Sequence, residues 1–525
     1  MEHASAGYQS SDSAIRPLKI VSITLRTSFI IGLMKLAAEL EASLREFVSA
    51  GAAQLCENGG HLAALSELSW EVRGSEDKPL LHIWSEQYNL TRRVIAITDH
   101  SDARLVLAVE RFGRSRPDRL EFVRIDFQRS ARELSREEFC ERLKGILASQ
   151  FPDETVESAT ISADLEHSLS GNYVRGLSKR GSRYEAFLAV PDGESQDTVN
   201  NSLTFALLWL DRLRKGSQRG TLGGVRLIVP KESCSVVAHR IAALAPGSAI
   251  ELYELDAARD SLERIDPRRA GNLHTWLVPC RESEALLAQA RAQIEPIVAS
   301  DPQAITVHPS IASREVILRY RGLALARWDD GAIFFGCNDM NEELTPRSRA
   351  TFERMMQDLG IYRHPLASDT RHPLYRAQAE RWLESLVRND VTRVDSVLDF
   401  RFVYAQVFAG SGGEHGIIDV LTITRAGRLA ILELKASEHI HLPLQAADYW
   451  LRVRRHLELG EFRSYGYFPG VEIQEAPPLV YLVAPALRFH PVTGILLDAL
   501  SPQIEVVRVG LTENWRRGIR VVMRQ

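Results

Sequence analysis

The alternation of apolar and polar positions predicts a chain of many short strands and fewer helices. From position 34 the apolar positions follow a helical spacing to about position 55, and a series of strands then leads to a helix near 136–149. Residues 203–300 instead alternate helix with strand, as an α/β domain does. A hairpin over 314–335 and a helix over 345–359 come next. The pattern therefore predicts a multidomain protein of mixed α/β and α+β class.

The changes of pattern, and the polar or proline-bounded stretches between them, predict five segments. They are 1–33, a disordered or non-native extension; 34–190, an α+β domain; 203–300, an α/β domain; 301–364, a connecting hairpin and helix; and 371–525, which carries the candidate chemistry. Met34 is a candidate for the true start, since residues 3–15 are rich in Ser and Ala. No internal repeat is visible in the sequence.

Two apolar strands in the last segment, 417–424 and 428–435, are separated by three residues that end in Gly427. A three-residue hairpin loop needs a left-handed residue at its third position, which suits glycine. This loop length sets a register in which Asp419 lies directly opposite Glu433. Directly paired residues have Cβ atoms ~4.5–5.5 Å apart, so the two carboxylates are predicted to lie together on one face of the sheet.

Two carboxylates on an apolar sheet face repel each other and are costly to desolvate. A divalent cation relieves both costs, and oxygen ligands favour Mg²⁺ or Mn²⁺ over Zn²⁺. Lys435 shares the face of Glu433, where it can orient or deprotonate a water or stabilise charge on a phosphate. The plainer interpretation is an exposed ladder of ion pairs. It is weakened by Leu421, Leu429 and Ile431, which share this face and favour burial.

A glutamate on a first helix, then Gly-x-Ile-Asp, Glu-x-Lys and Gln-x-x-x-Tyr, together resemble the PD-(D/E)xK nuclease superfamily. The likeness is greatest to RecB-type modules and archaeal mismatch endonucleases, and it covers roughly residues 373–449. The matching residues after the first helix are Asp419, Glu433, Lys435, Gln445 and Tyr449. The resemblance implies a restriction-endonuclease-like mixed sheet flanked by helices, with a Mg²⁺ site. Apolar runs at 479–484, 504–509 and 519–523 would complete that sheet.

The resemblance also implies roles for the matching residues. Asp419 and Glu433 would be metal ligands and Lys435 the catalytic lysine, while the Gln and Tyr of the second helix would complete the catalytic set. The ligand from the first helix would be Glu380 or Glu384, which lie four apart on one helical face. Glu380 is preferred because of its spacing from the following leucine.

Nucleic-acid binding must use local patches, because the net charge of the chain is −4. The candidate DNA contacts are Arg452, Arg454 and Arg455 after the Gln helix, and Arg175, Lys179 and Arg180 in a Tyr- and Gly-rich stretch. For the second group, plain surface charge explains the pattern equally well. The arginines of 111–119 are interpreted as a solvated hairpin. His415 and His441 flank the site in sequence and are candidates for a ligand or proton shuttle.

Composition bounds the remaining possibilities. The chain is 45% hydrophobic and 25% charged, as in soluble globular proteins. Its five cysteines are scattered and odd in number, which disfavours a disulfide framework or zinc knuckle and favours a reducing cytosol. No phosphate-loop or dinucleotide-binding motif occurs, so the chain carries no recognisable ATP motor.

These observations predict a cytoplasmic, Mg²⁺- or Mn²⁺-dependent nuclease that acts on DNA, with RNA still open as a substrate. No membrane association is expected, and the first 370 residues would select substrate or partner. Protein partners or a homodimer are both compatible with the sequence. The alternative is a catalytically inactive nuclease-fold subunit that binds DNA or serves as a scaffold in a repair or defence complex.

Overall fold

A computed structural model of the chain contains four β-sheets with helices packed on them, which confirms the mixed α and β class with several sheets. It describes residues 36–525 except 50, 52, 58–59, 65–68, 76–77, 85–88, 111–117, 165, 217–219, 272–274, 311–312, 338–341 and 409–416. The predicted extension over 1–33 lies outside these residues. No helix in the described ranges is long and apolar enough to cross a membrane.

The N-terminal sheet has seven antiparallel strands in the order β2-β1-β7-β6-β5-β4-β3. Its elements are α1 (Leu36–Ser49), β1 (Ala53–Glu57), β2 (Gly60–Ala64), β3 (Ser69–Ser75), β4 (Lys78–Trp84), β5 (Asn89–His100), β6 (Arg104–Glu110) and β7 (Asp118–Arg124). Leu40, Leu44 and Phe47 lie on one face of α1 and are buried against the sheet. Most of the arginine loop over 111–119 lies outside the described residues.

The second sheet has six strands in sequential order, β8 to β13. Its elements are α2 (Ile125–Gln150), β8 (Thr155–Thr160), β9 (Val174–Arg180), β10 (Arg183–Ala189), α3 (Gln196–Lys215), β11 (Thr221–Pro230), α4 (Ser235–Ile241), β12 (Ile250–Asp256), β13 (Ser261–Ile265) and α5 (Pro267–Ala270). The predicted boundary between 190 and 203 is wrong, because β10 pairs in parallel with β11. Parallel strands need a crossover, here α3, so the polar stretch before it is an internal loop rather than a linker.

The third sheet occupies the segment that was predicted to be only a connector. Its elements are α6 (Cys280–Ser300), β14 (Ile305–Ser310), β15 (Glu315–Tyr320), β16 (Leu323–Asp329), β17 (Ala332–Phe335), β18 (Glu342–Glu343) and α7 (Arg349–Tyr362). The five strands form an antiparallel sheet in sequential order, and α6 packs on it instead of on the preceding sheet. The connector prediction is wrong, because this segment has a hydrophobic cluster of its own.

The C-terminal sheet contains the predicted hairpin and the three predicted strands that follow it. Its elements are α8 (Pro373–Arg376), α9 (Ala379–Asn389), β19 (Leu398–Phe408), β20 (Ile417–Thr424), β21 (Leu429–Leu434), α10 (Leu442–Glu458), α11 (Glu461–Ser464), β22 (Leu479–Pro485), α12 (Thr493–Asp498), β23 (Val506–Leu511) and β24 (Val521–Arg524). Strands β19 to β21 are antiparallel, and β22 and β23 then add in parallel. Trp382 and Leu383 of α9 are buried against one face, and α10 covers the other.

The register of the β20–β21 hairpin is the predicted one. Gly427 has a φ of +91°, its amide donates to the Thr424 carbonyl at 2.9 Å, and the Thr424 amide donates to the Arg428 carbonyl at 2.8 Å. Four cross-strand pairs follow in the same register. The ladder ends at the pair of Val420 with Leu432, and Asp419 and Glu433 are the next residues beyond that pair.

The second and C-terminal sheets share one continuous hydrophobic core. Helix α3 contacts α12, and α4 contacts α10. Two backbone hydrogen bonds link the segments after α4 and α12. The Ala245 amide donates to the Ala499 carbonyl at 2.9 Å, and the Ser501 amide donates to the Ala243 carbonyl at 2.8 Å. Segments that were predicted as separate domains are therefore packed together through their helices.

Candidate active site

The predicted acids and lysine meet where β20 begins and β21 ends. The Asp419 carboxylate accepts a hydrogen bond from the Leu434 amide at 2.9 Å. Glu433 is only 1% exposed, and its Oε1 lies 3.1 Å from the Lys435 ammonium. The Lys435 amide donates to the Val483 carbonyl of β22 at 2.9 Å, which fixes the Lys435 backbone directly after the end of β21. The hairpin therefore brings together the three residues that its register predicted.

Both glutamates of α9 reach this cluster, but with different partners. Glu380 Oε2 lies 3.8 Å from the Lys435 ammonium. Glu384 Oε2 instead lies 2.7 Å from Arg381 Nη1, which is 3.4 Å from Asp419 Oδ1. Glu380 is therefore the first-helix acid next to the lysine, as preferred from the sequence.

Burial dominates the electrostatics of the cluster. Burial, and then the charge of Asp419, raise the pKa of Glu433, while burial raises the pKa of Glu384 to about 7. Burial alone would lower the pKa of Lys435, but the surrounding carboxylates raise it above its ordinary value. Glu433 Oε2 is buried and has no hydrogen-bond partner among the described residues. The site therefore has an acceptor atom that no described residue satisfies.

The chemistry of these side chains fits Mg²⁺ or Mn²⁺, since the available donors are carboxylate oxygens and one of them is unsatisfied. In the described ranges no three His, Cys, Asp or Glu side chains converge as a ready metal site. The acids pair instead with Lys435 and Arg381. A bound cation would require these pairs to rearrange.

The Gln and Tyr of the second helix lie beside the acids. Gln445 Nε2 donates to the Tyr449 hydroxyl at 3.2 Å, and Tyr449 is buried. Burial, and then the charges of Glu433 and Asp419, raise the pKa of the Tyr449 phenol. Tyr449 therefore stays neutral and can serve as a hydrogen-bond donor near the carboxylates.

Sequence reasoning missed the cations behind the site. Arg319 of β15 comes from the third sheet, and its Nη1 is buried without a hydrogen-bond partner in the described part of the chain. Burial lowers its pKa to about 10, while the charge of Glu384 opposes that change. Arg388 of α9 donates to His308 Nε2 of β14 at 2.7 Å. Nothing in the sequence connects these strands to the acidic hairpin, although Arg381 between the two glutamates was a usable signal.

The start of α9 is built against a turn of the third sheet. Gly322 has a φ of +82°, and a Cβ added there would lie 2.1 Å from the Arg381 carbonyl oxygen. Arg363 is fully buried. It donates to the carbonyls of Arg321, Leu374 and Ala377 at 2.8, 2.6 and 2.7 Å. The third sheet therefore sets the position of the helix that carries the first-helix acid.

Two of the predicted DNA contacts are wrong because their side chains are buried. Arg452 is 4% exposed and lies 3.2 Å from Asp448, on the face of α10 that packs against α4. Asp448 also lies 3.0 Å from His239 of that helix. Arg175 is 3% exposed, and its guanidinium lies 5.8 Å from the Trp209 ring centre. Neither arginine presents its charge to a ligand at the surface.

The other predicted contacts lie at or near the surface. Arg454, Lys179 and Arg180 each lie within 4 Å of an acidic side chain, at 2.7 Å from Glu458, 3.6 Å from Glu157 and 2.7 Å from Asp153 respectively. Arg455 is exposed. Their role in DNA binding stays a prediction. His415 lies outside the described residues, and His441 contacts Thr204 of α3 at 2.8 Å rather than the acids.

No family model matches this chain, and no curated protein matches it significantly. The resemblance to PD-(D/E)xK nucleases therefore stays a prediction from the motif residues.

Proposed function

We propose that this chain is a divalent-metal-dependent nuclease of the PD-(D/E)xK type that hydrolyses phosphodiester bonds in DNA. The observation that carries the proposal is Glu433, a buried carboxylate with one oxygen that the described residues leave unsatisfied, at the end of a hairpin shared with Asp419 and Lys435. A buried acceptor without a partner costs free energy, and such groups are concentrated at catalytic and ligand-binding sites.

The order of elements supports the same class. Helix α9 precedes three antiparallel strands, α10 follows them, and β22 adds in parallel to β21. This helix–three strands–helix–strand order is what the resemblance to restriction-endonuclease-like cores implies. The three-residue turn places the acids at the carboxyl end of β21, next to the start of α9.

Asp419, Glu433 and Glu380 would hold the Mg²⁺ or Mn²⁺ ion. When bound, that ion would supply Lewis acidity and a more acidic water. Lys435 donates to a carboxylate and stays charged, so we assign it to stabilising negative charge on the phosphate. The pair of Gln445 with Tyr449 limits the orientation of the phenol, which can donate to the same phosphate or to a carboxylate.

The test is cleavage of a panel of single-stranded, duplex and branched DNA, and of RNA, with Mg²⁺, Mn²⁺ or EDTA. We expect cleavage that needs the metal and that falls on the order of 10²–10³-fold in Lys435→Ala, as for loss of one preorganised charge stabiliser. Lys144→Ala is the matched control, because Lys144 pairs with Glu141 at the surface. Equal cleavage by Lys435→Ala and Lys144→Ala would contradict the proposed site.

A second candidate is a nuclease-fold subunit that binds DNA or organises a complex without cleaving. The pairing of Lys435 and Arg381 with the acids favours it, because the protein itself neutralises part of their charge. This candidate predicts tight DNA binding that EDTA and Lys435→Ala leave unchanged, with no cleavage under any metal. Metal-dependent cleavage excludes it.

A further inference from the structure

The second and C-terminal sheets have the same connectivity. Each has six strands in sequential order, with three antiparallel strands first, two parallel additions next and an antiparallel strand last. The C-terminal sheet repeats each of these steps from β19 to β24. Helices also recur at the same junctions, so that α3 corresponds to α10 and α4 to α12.

The hydrogen-bond register allows the two sheets to be matched residue by residue. In the second sheet the Val190 amide donates to the Ile228 carbonyl at 2.9 Å, as the Lys435 amide donates to Val483 at 2.9 Å in the C-terminal sheet. Both receiving strands, β11 and β22, end in a proline two residues further on. Val190 therefore takes the place of Lys435.

The same count extends to the two acids. Leu188 precedes Val190 by two residues, as Glu433 precedes Lys435, so leucine replaces glutamate. Leu188 pairs across the hairpin with Arg175. Counted from the pair that closes each turn, Asp419 and Glu433 stand at the same positions as Arg175 and Leu188. Arginine therefore replaces aspartate, and none of the three catalytic side chains survives in the second sheet.

The contacts between the two sheets are reciprocal. Helix α3 touches α12 while its counterpart α10 touches α4, the counterpart of α12. Leu244 and Leu500, which follow α4 and α12, form an antiparallel bridge with each other. Reciprocal contact of equivalent surfaces defines a two-fold arrangement. The chain thus contains an internal pair with approximate two-fold symmetry.

We infer that residues 125–265, the silent copy, repeat the fold of residues 379–524, the active copy, and that the pair cuts one strand of a duplex per binding event. The inference rests on the proposed nuclease function. A two-fold nuclease with two complete centres presents one to each strand of a two-fold duplex. With Arg175, Leu188 and Val190 in place of the catalytic residues, one centre is missing and the second strand stays intact.

Cleavage of a supercoiled plasmid at protein concentrations where the chain is a monomer tests this inference. We expect nicked circles to accumulate first, at a rate proportional to enzyme concentration, with linear DNA only after a second independent event. Linear DNA that forms as fast as nicked circles overturns the inference. So does a protein that cuts single strands but leaves the plasmid intact. Failure to cut any substrate with Mg²⁺ or Mn²⁺ overturns the proposed function as well.

Matched variants distinguish the contributions of the two copies to nicking. Leu188→Met in the silent copy should leave the nicking rate unchanged, because it keeps the volume of a buried side chain. Glu433→Gln at the equivalent position of the active copy should abolish nicking. A loss of nicking in a folded Leu188→Met variant would contradict the assignment of the silent copy.

A cross-link tests the pairing independently of activity. Directly opposed residues that do not exchange hydrogen bonds have Cα atoms ~4.5 Å apart, within disulfide range. The bonds here run between the neighbours of Leu244 and Leu500, so the double variant Leu244→Cys/Leu500→Cys should oxidise to an intrachain disulfide. Each single variant is the control. Absence of the disulfide in a folded double variant would contradict the two-fold pairing.

Discussion

Glu433 determines most of what the site can do. It is nearly fully buried, one of its oxygens has no partner among the described residues, and its ammonium partner is Lys435. The sequence predicted its position because a turn of three residues ending in glycine fixes which side chains face each other. The sequence could not predict Arg319 beside the α9 acids, because that proximity depends on the packing of the third sheet.

The first prediction at the residue scale concerns metal binding. A cation that binds only the folded protein raises its free energy of unfolding, and therefore its melting temperature. The gain is about 2.7 kcal/mol when the cation concentration is 100 times the dissociation constant. We expect the wild type to melt at a higher temperature in Mn²⁺ than in EDTA. The melting temperatures of Asp419→Ala and Glu433→Gln should be the same in both. Differential scanning calorimetry measures this. Equal shifts in all three proteins would place the metal elsewhere.

The second prediction concerns acid stability. Burial, and then the positive charges of His439, Arg240 and His490, lower the pKa of His441 to about 3. An unfolded histidine takes up its proton near pH 6.5, so the unfolded chain binds more protons between these values. The contribution of neutral His441 to stability is therefore complete above pH 6.5 and is lost as the pH falls towards 3. His441→Asn should show a shallower loss in urea titrations over this window. If the free energy of unfolding of His441→Asn falls with pH as steeply as that of the wild type, His441 does not cause the loss of stability in acid.

At the scale of elements, the hairpin turn was predicted correctly, but its surroundings were not. Turn geometry alone would allow asparagine at Gly427, since asparagine tolerates positive φ. A Cβ there would however lie 2.1 Å from the Glu472 carbonyl oxygen, on a segment distant in sequence. The φ of +91° and this contact together require glycine. The sequence shows the first requirement, and only the packed structure shows the second.

The third prediction compares two hairpin turns. Gly427→Ala combines backbone strain at positive φ with a steric clash of the added Cβ. Gly181, in the equivalent turn of the silent copy, also has a positive φ, +62°, but the described residues leave open space around an added Cβ, so Gly181→Ala adds strain alone. Strain alone costs roughly 1–2 kcal/mol. We expect Gly427→Ala to lose more stability than Gly181→Ala and also to lose cleavage, because the hairpin carries both strand acids. Equal effects of the two changes in denaturant unfolding and cleavage assays would contradict this.

The fourth prediction concerns the contact that positions α9 on the third sheet. Gly322→Ala would push its Cβ against the Arg381 carbonyl. Gly331 in the same sheet has a similar φ, +88°, and a Cβ added there would have no described residue within 4 Å. Displacement of α9 moves Glu380 relative to Lys435. We expect Gly322→Ala to reduce cleavage far more than Gly331→Ala. Matched activity of the two folded variants would show that the third sheet does not position the site.

At the scale of the whole molecule, the sequence pattern predicted the C-terminal strands correctly, but it did not predict which segments form a common sheet or core. The polar stretch after β10 predicts the end of a domain, yet β10 pairs in parallel with β11 through the crossover helix α3. The repeated fold stayed invisible because equivalent positions differ in chemistry. Where Asp419, Glu433 and Lys435 stand in one copy, Arg175, Leu188 and Val190 stand in the other. Connectivity and register survive such changes, whereas a residue pattern does not.

The most direct test of the central claim is the rate of phosphodiester cleavage by Glu433→Gln beside the wild type, with saturating Mn²⁺ and with EDTA. The side chains are nearly the same size, so the change removes charge and leaves the packing. The account predicts cleavage by the wild type only with Mn²⁺, and none by a folded Glu433→Gln protein. Cleavage by Glu433→Gln at the wild-type rate would contradict it, because the buried carboxylate would then have no part in the reaction.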